Sequence, residues 1–251
     1  MLIIRLTGGL GNQLFQYAHG RALAEKRNTS LLLDISWYKG RIDRSYMLSH
    51  FNIEAEIASK FRVIITEIFS SKNYIYGDYQ SERYFENIKD IIRKDFTLKN
   101  KISDKNKKIL EKIQSTNSIS IHLRGGDYIR GKKSDFHGTC STEYYNKAIE
   151  EMRSNVNSPF FFIFTDDIDW AKSHIIFPES SVIVSNKDNK PYEELLLMSK
   201  CKHNIIANST FSWWGAWLNS NVNKIVIAPR KWFNNSSINT EDIVPKSWIR
   251  I

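Results

Sequence analysis

The chain has 251 residues, 41% hydrophobic and 25% charged, enough apolar material for one large or two small cores, and this composition excludes a disordered chain. No apolar run approaches the roughly 18 to 20 residues that cross a bilayer, and residues 1–6 run into glycines without a signal-peptide core, so a cytoplasmic protein is expected. The net charge of +9 favours anionic partners such as a nucleotide diphosphate or a phospholipid surface, and two cysteines, Cys140 and Cys201, make neither a disulfide framework nor a zinc cluster.

From the N-terminus, LIIRL (2–6) reads as a strand that enters Gly8-Gly9-Leu10-Gly11-Asn12-Gln13 ahead of a helical pattern, FQYAHGRALAEKR. A glycine-rich strand-to-helix turn brings backbone N–H groups close to a ligand at a helix N-terminus, although the spacing is not G-x-G-x-x-G. A tight turn alone would also explain the glycines; Asn12 and Gln13 add two side chains suited to a sugar. Asp34, closing the strand LLLD (31–34), is an ordinary strand-end residue by default. A lysine-rich, apolar-poor stretch at 99–117 separates a less regular first half from a regular second half, which gives domains 1–107 and 108–251. Lys99, Lys101, Lys105, Lys107, Lys108 and Lys112 are not interleaved with aromatics, so they are expected to form a solvated face, with no nucleic-acid partner.

In the second half, SISIHL (118–123), FFFIFT (160–165), SVIVS (181–185), HNIIAN (203–208) and KIVIA (224–228) alternate with helical stretches at 141–154, 190–202 and 209–219. That rhythm predicts an α/β fold with parallel sheets. Ligands of open α/β sheets bind beyond the carboxyl ends of strands, so His122, Arg124 and Asp127 mark a candidate site. A planar guanidinium suits an oxyanion that gains charge as a phosphate leaves. At the next strand end, Asp167-x-Asp169 formally matches the D-x-D of metal-dependent sugar transferases. Acids are also favoured in the first turn of any helix, and that structural role is expected for Asp169, with Asp166 or Asp167 bordering the site. Asn208, Ser209 and Thr210 precede an aromatic helix; they are capping residues, and the N-terminus they cap is equally suited to a phosphate.

The motifs GGLGNQLFQYA, IHLRGGDY, FTDD, MSKCKHNIIANSTFSWWGAWL and IVPKSWIRI cover essentially the whole chain in this order, and they resemble the inverting α-1,2-fucosyltransferases of glycosyltransferase family 11, bacterial type. The resemblance implies a GT-B-like fold: two small Rossmann-like halves with parallel sheets and a cleft between them, the first on the acceptor side and the second binding the GDP-sugar. It implies GDP-L-fucose as donor, a galactose-containing glycan as acceptor, neither cofactor nor metal, and single displacement with inversion. By position it sets Arg124 against the donor diphosphate and His122 beside the nucleotide. Asn208, Ser209, Thr210 and Phe211 fall in the donor site, the last three around the distal phosphate, and Asn12 lies near the transferred sugar. Glu194 is the candidate for the guanine N1–H and N2–H, with a solvent-facing acid as the bland alternative.

One departure from the family pattern is Gly125, where a second arginine is usual; its role is either missing or supplied by Arg130, Lys132 or Lys133. For the general base Asp127 is the candidate, Asp135 and His137 are alternatives, and some relatives show none. The basic surface leaves room for peripheral attachment to the inner face of the membrane. Two rivals remain: a cation-dependent transferase using Asp167 and Asp169, and a non-catalytic glycan-binding module. The second fits poorly, since Trp213, Trp214 and Trp217 are expected on a buried helix rather than a surface loop.

Overall fold

The computed structural model describes residues 1–125, 140–186, 188–235 and 239–251. The chain divides into two units, Met1–Lys101 and Ile102–Ile251, each built on one sheet whose strand pairs are parallel.

The first unit runs β1 (Leu2–Arg5), α1 (Leu10–Lys26), β2 (Leu31–Asp34), β3 (Glu56–Ile57), α2 (Lys60–Phe69), β4 (Tyr74–Ile75) and α3 (Lys89–Asp95), with sheet order β3-β2-β1-β4. Leu2, Ile3 and Ile4 are fully buried, as befits a central strand read as a continuous apolar run. Leu14, Phe15, Tyr17 and Ala18 of α1 are equally buried, and the Tyr17 hydroxyl donates to Asp95 Oδ2 of α3 at 2.6 Å. Burial, reinforced by that bond, pushes the Tyr17 phenol far up, so it remains a donor at every working pH.

The second unit runs α4 (Asp104–Ser115), β5 (Asn117–Leu123), α5 (Thr142–Asn155), β6 (Pro159–Thr165), α6 (Ile168–His174), β7 (Ser181–Ile183), α7 (Pro191–Lys200), β8 (His203–Ile205), α8 (Thr210–Leu218), β9 (Val226–Ala228) and β10 (Ile249–Arg250). Its sheet order is β10-β9-β8-β5-β6-β7. The division between units falls at 101/102 rather than at 107/108 because α4 is one continuous helix anchored to α7. The buried Glu193 carboxylate of α7 accepts from the Ser103 N–H at 3.1 Å, the Ser103 hydroxyl at 2.9 Å and Asn106 Nδ2 at 2.7 Å. The six lysines at 99–112 are exposed, as expected of a solvated face.

Helix α8 is apolar almost throughout: Trp213 and Trp214 are fully buried and Trp217 nearly so. Gly215 meets α7 closely, since a Cβ there would stand 2.9 Å from Met198 Cβ. Trp213 stacks near-parallel to Trp217 and lies 5.5 Å from Trp248, while its Nε1 donates to the Ile243 carbonyl at 2.7 Å. Among the described residues, no helix is long and apolar enough to cross a membrane.

Candidate functional site

In the second sheet β5 and β8 lie side by side, and the chain leaves them in opposite directions. From β5 it passes through α5 to β6 on one side; from β8 it passes through α8 to β9 on the other. The carboxyl ends of β5 and β8 are therefore the switch point where open α/β sheets leave a crevice for a ligand.

Two phenols from α5 fix these ends from behind. Tyr145 donates to the His122 carbonyl at 3.2 Å, and Tyr144 donates to the Ile206 carbonyl at 2.6 Å and to that of Ile227 at 3.3 Å. Burial drives both phenols well above their ordinary value, so they act as permanent donors. Ser141 starts α5 by accepting the Tyr144 N–H at 3.1 Å.

His122 is the penultimate residue of β5, with 4% of its surface exposed. Burial lowers its pKa from the ordinary 6.5 to about 4, assisted by the nearby Arg124 charge and opposed by Asp166, so the imidazole is neutral at physiological pH. Its ring meets Phe211 edge-on at 5.6 Å between centroids, which brings the end of β5 against the first turn of α8. Its Nδ1 is buried without a hydrogen-bond partner among the described residues. Arg124 follows one residue beyond the strand, its Nε 4.0 Å from Asp166 Oδ2, while Asp166 Oδ1 accepts the Gly125 N–H at 3.0 Å.

Helix α8 starts where the capping residues predict. Ser209 Oγ accepts the Phe211 N–H at 3.3 Å, so the hydroxyl serves the cap. Asn208 is held from two sides: its Oδ1 accepts from the Cys140 thiol at 3.5 Å and its Nδ2 donates to the Trp232 carbonyl at 3.1 Å. Thr210 and Phe211 are half-buried. The geometry brings His122, Arg124 and the Asn208–Phe211 run to one switch point; Asp127, with Arg130, Lys132, Lys133, Asp135 and His137, lies outside the described residues.

Three sequence expectations gain physical content. Gly125 permits a close approach that no side chain could share: a Cβ there would stand 2.5 Å from Trp170 Cδ2 and Cε3. The indole of α6, stacked on His174, thus occupies the space into which a second arginine would grow. Asp167 caps α6 by accepting the Trp170 N–H at 3.0 Å, and Asp169 is exposed in its first turn, the structural roles that acids take at helix starts. Glu194 is half-buried rather than solvent-facing: burial raises its pKa, while Ser185 and Asn189 hold the charge, Asn189 Nδ2 at 3.0 Å from Oε1. The Asn189 partner was not apparent from sequence, although its place just ahead of Pro191 at the helix start marks it as a loop polar residue.

In the first unit the glycine-rich turn behaves differently. Gly8 has φ +77° and a Cβ there would sit 2.8 Å from Asn12 Nδ2, so glycine is required. Gln13, expected to face a sugar, is fully buried and braces the loop instead: its Nε2 donates to the Ser45 carbonyl at 2.9 Å and its Oε1 accepts the Met47 N–H at 2.9 Å. Gln16 does the same for Thr7. Asn12 is half-buried in the first turn of α1.

Two Rossmann-like halves with parallel sheets are the architecture of GT-B glycosyltransferases. The solved structure of the α-1,6-fucosyltransferase NodZ of Bradyrhizobium, soaked with GDP-fucose, matches with a TM-score of 0.56 at 16% identity, over 86% of this chain and 92% of NodZ. The chain belongs to glycosyl transferase family 11, whose model matches residues 1–251. An α-1,2-colitosyltransferase of Escherichia coli is 36% identical over 100% of this chain and 99% of its own length. A galactoside 2-α-L-fucosyltransferase, Sec1 of Mus musculus, is 24% identical over 87% of this chain and 64% of its own. The protein is therefore a glycosyltransferase.

Proposed function

We propose that the protein transfers L-fucose from GDP-L-fucose to a galactoside hydroxyl in α-1,2 linkage, with inversion and without a metal or other cofactor. The observation that carries this reading is the convergence of Arg124, a neutral buried His122 and the start of α8 on one switch point. An acceptor hydroxyl attacks the anomeric carbon as the bond to the diphosphate oxygen breaks, and GDP leaves with the negative charge. Arg124 and the N-terminal turn of α8, with Asn208, Ser209, Thr210 and Phe211, receive that charge, a task for which a single lost contact costs about 2.7 to 4 kcal/mol of barrier. The hydroxyl proton goes to a base, for which Asp127 is the candidate.

In this reading the second unit binds the donor and the first serves the acceptor, with Asn12 assigned on the family's glycine-rich motif alone. Glu194 reads guanine, since its carboxylate accepts an adjacent pair of N–H donors that adenine lacks. A donor lacking one sugar hydroxyl is the second reading. It is favoured by the colitosyltransferase relative, colitose being fucose without its 3-hydroxyl, and by the indole standing where a guanidinium is usual.

Turnover of GDP-fucose, GDP-colitose, GDP-mannose and UDP-galactose, each with and without EDTA, tests the proposal, with product linkage and anomeric configuration read by NMR. GDP-fucose should lead and EDTA should change nothing. Preference for GDP-colitose moves the assignment to the second reading, and loss with EDTA restored by manganese moves it to a cation-dependent transferase. Titration of GDP, ADP and UDP into Glu194→Gln should show weakened GDP binding; unchanged base preference would remove Glu194 from the nucleotide site.

A further inference from the structure

Helix α2 has its amphipathic faces the wrong way round for a surface helix. Of its ten residues only Thr66 is buried, with Val63 half-buried beside it, whereas Phe61 is 73% exposed, Ile64 45%, Ile65 39%, Ile68 66% and Phe69 79%. At 100° per residue these five side chains occupy one continuous arc of about 140°, a stripe that a soluble helix turns inward. Lys60 projects at one border of the arc and Arg62 at the other; Lys72 follows just beyond the helix, and the only acid between residues 60 and 73 is Glu67, on the polar side. A contiguous exposed apolar patch of this kind marks an interaction surface.

We propose that α2 lies in the interface of an anionic phospholipid membrane, its Phe61–Phe69 stripe at the level of the acyl chains and Lys60 and Arg62 against the headgroup phosphates. Apolar bulk with aromatics at both ends, basic residues at the borders and a chain charge of +9 match the pattern of interfacial helices drawn to anionic lipid. A second copy of the chain fits less well. A helix about 15 Å long offers far less than the roughly 1,200 to 2,000 Å² that a stable interface buries, and two copies would bring like charges together at the stripe's borders.

The test is co-sedimentation of the full chain with phosphatidylcholine vesicles prepared with and without phosphatidylglycerol, at low and high salt. The wild type should bind the phosphatidylglycerol vesicles and lose binding as salt rises. The variant carrying Phe61→Ser, Ile65→Ser, Ile68→Ser and Phe69→Ser should bind at least about tenfold more weakly, while thermal melting and turnover of a soluble acceptor stay as in wild type. Lys60→Glu with Arg62→Glu should abolish the preference for anionic lipid. Should the quadruple variant fail to fold, Phe69→Ser and the charge pair read the same surface. No sedimentation of wild type with either vesicle, or undiminished binding by folded variants, overturns the proposal. So does a variant effect seen only as a change from dimer to monomer in lipid-free ultracentrifugation, which would assign the stripe to a second copy.

Discussion

The two sheets each have a point where strand order reverses, between β1 and β4 in the first unit and between β5 and β8 in the second, and they use the polar side chains there in opposite ways. Beyond β1, Gln13 and Gln16 are consumed in holding Ser45, Met47 and Thr7. Beyond β5, the holding is done by Tyr144 and Tyr145 from the helix behind, and His122 Nδ1 keeps no partner among the described residues. Polar residues at a strand end are thus braces or instruments according to whether another element already carries the structural burden.

Arg124→Lys gives the largest expected effect. Lysine keeps the charge but loses the planar fork, so turnover should fall about 100- to 1,000-fold with the melting temperature unchanged. Near-normal turnover by the folded variant would remove Arg124 from the chemistry. Gly125→Arg tests the same strand end by steric means. The new Cβ meets the Trp170 ring at 2.5 Å, and overpacking of this kind costs about 1–3 kcal/mol. Urea denaturation should show that loss, and in a Trp170→Ala background the same substitution should cost far less; equal losses in both backgrounds would mean that the ring and the strand end are independent.

For the first unit, Gln13→Ala removes the side-chain partner of the Ser45 carbonyl and the Met47 N–H and empties a fully buried position. Stability should drop by about 1–3 kcal/mol, with kcat per folded molecule nearly unchanged, as befits a brace. A collapse of kcat at unchanged stability would make the two switch points alike after all. The last effect concerns pH. His122 ordinarily titrates at 6.5 and in the fold at about 4, so as pH falls the unfolded chain takes up the proton first. Its contribution is complete above pH 6.5 and drains away between 6.5 and 4, by at most roughly 1 kcal/mol per pH unit. His19, lowered by burial to about 4, adds to the same limb. His122→Gln should flatten the curve of stability against pH in that window; an unaltered slope would show that His122 titrates alike in the folded and the unfolded chain.

The second unit was far more legible in the sequence than the first, for a physical reason. Strands β5 and β6 are seven residues each, β6 a nearly continuous apolar run and β5 an alternation of aliphatic residues with Ser118, Ser120 and His122, and α5, α7 and α8 have capping residues or proline at their starts, so period and punctuation agree. In the first unit β3 and β4 are two residues each, too short for any alternation to register. Helix α2 was missed because its apolar residues do not serve the core. At the site, residue types and strand-end positions pointed to His122, Arg124 and Ser209. Sequence could not show that Gln13 folds back on its own loop or that Trp170 covers Gly125, since both depend on contacts between segments more than 30 residues apart.

The packed indoles of α8 also make the protein its own optical probe. Trp213, Trp214 and Trp217 lie 5.1 to 6.2 Å apart, with Trp248 5.5 Å from Trp213, close enough for their electronic transitions to couple. Such coupling gives a near-ultraviolet circular dichroism band that depends on the mutual angle of the rings rather than on helix content. Because Ser209 caps the same helix, that band follows the setting of its first turn, and its amplitude during a titration with GDP reports whether the turn moves without any added label.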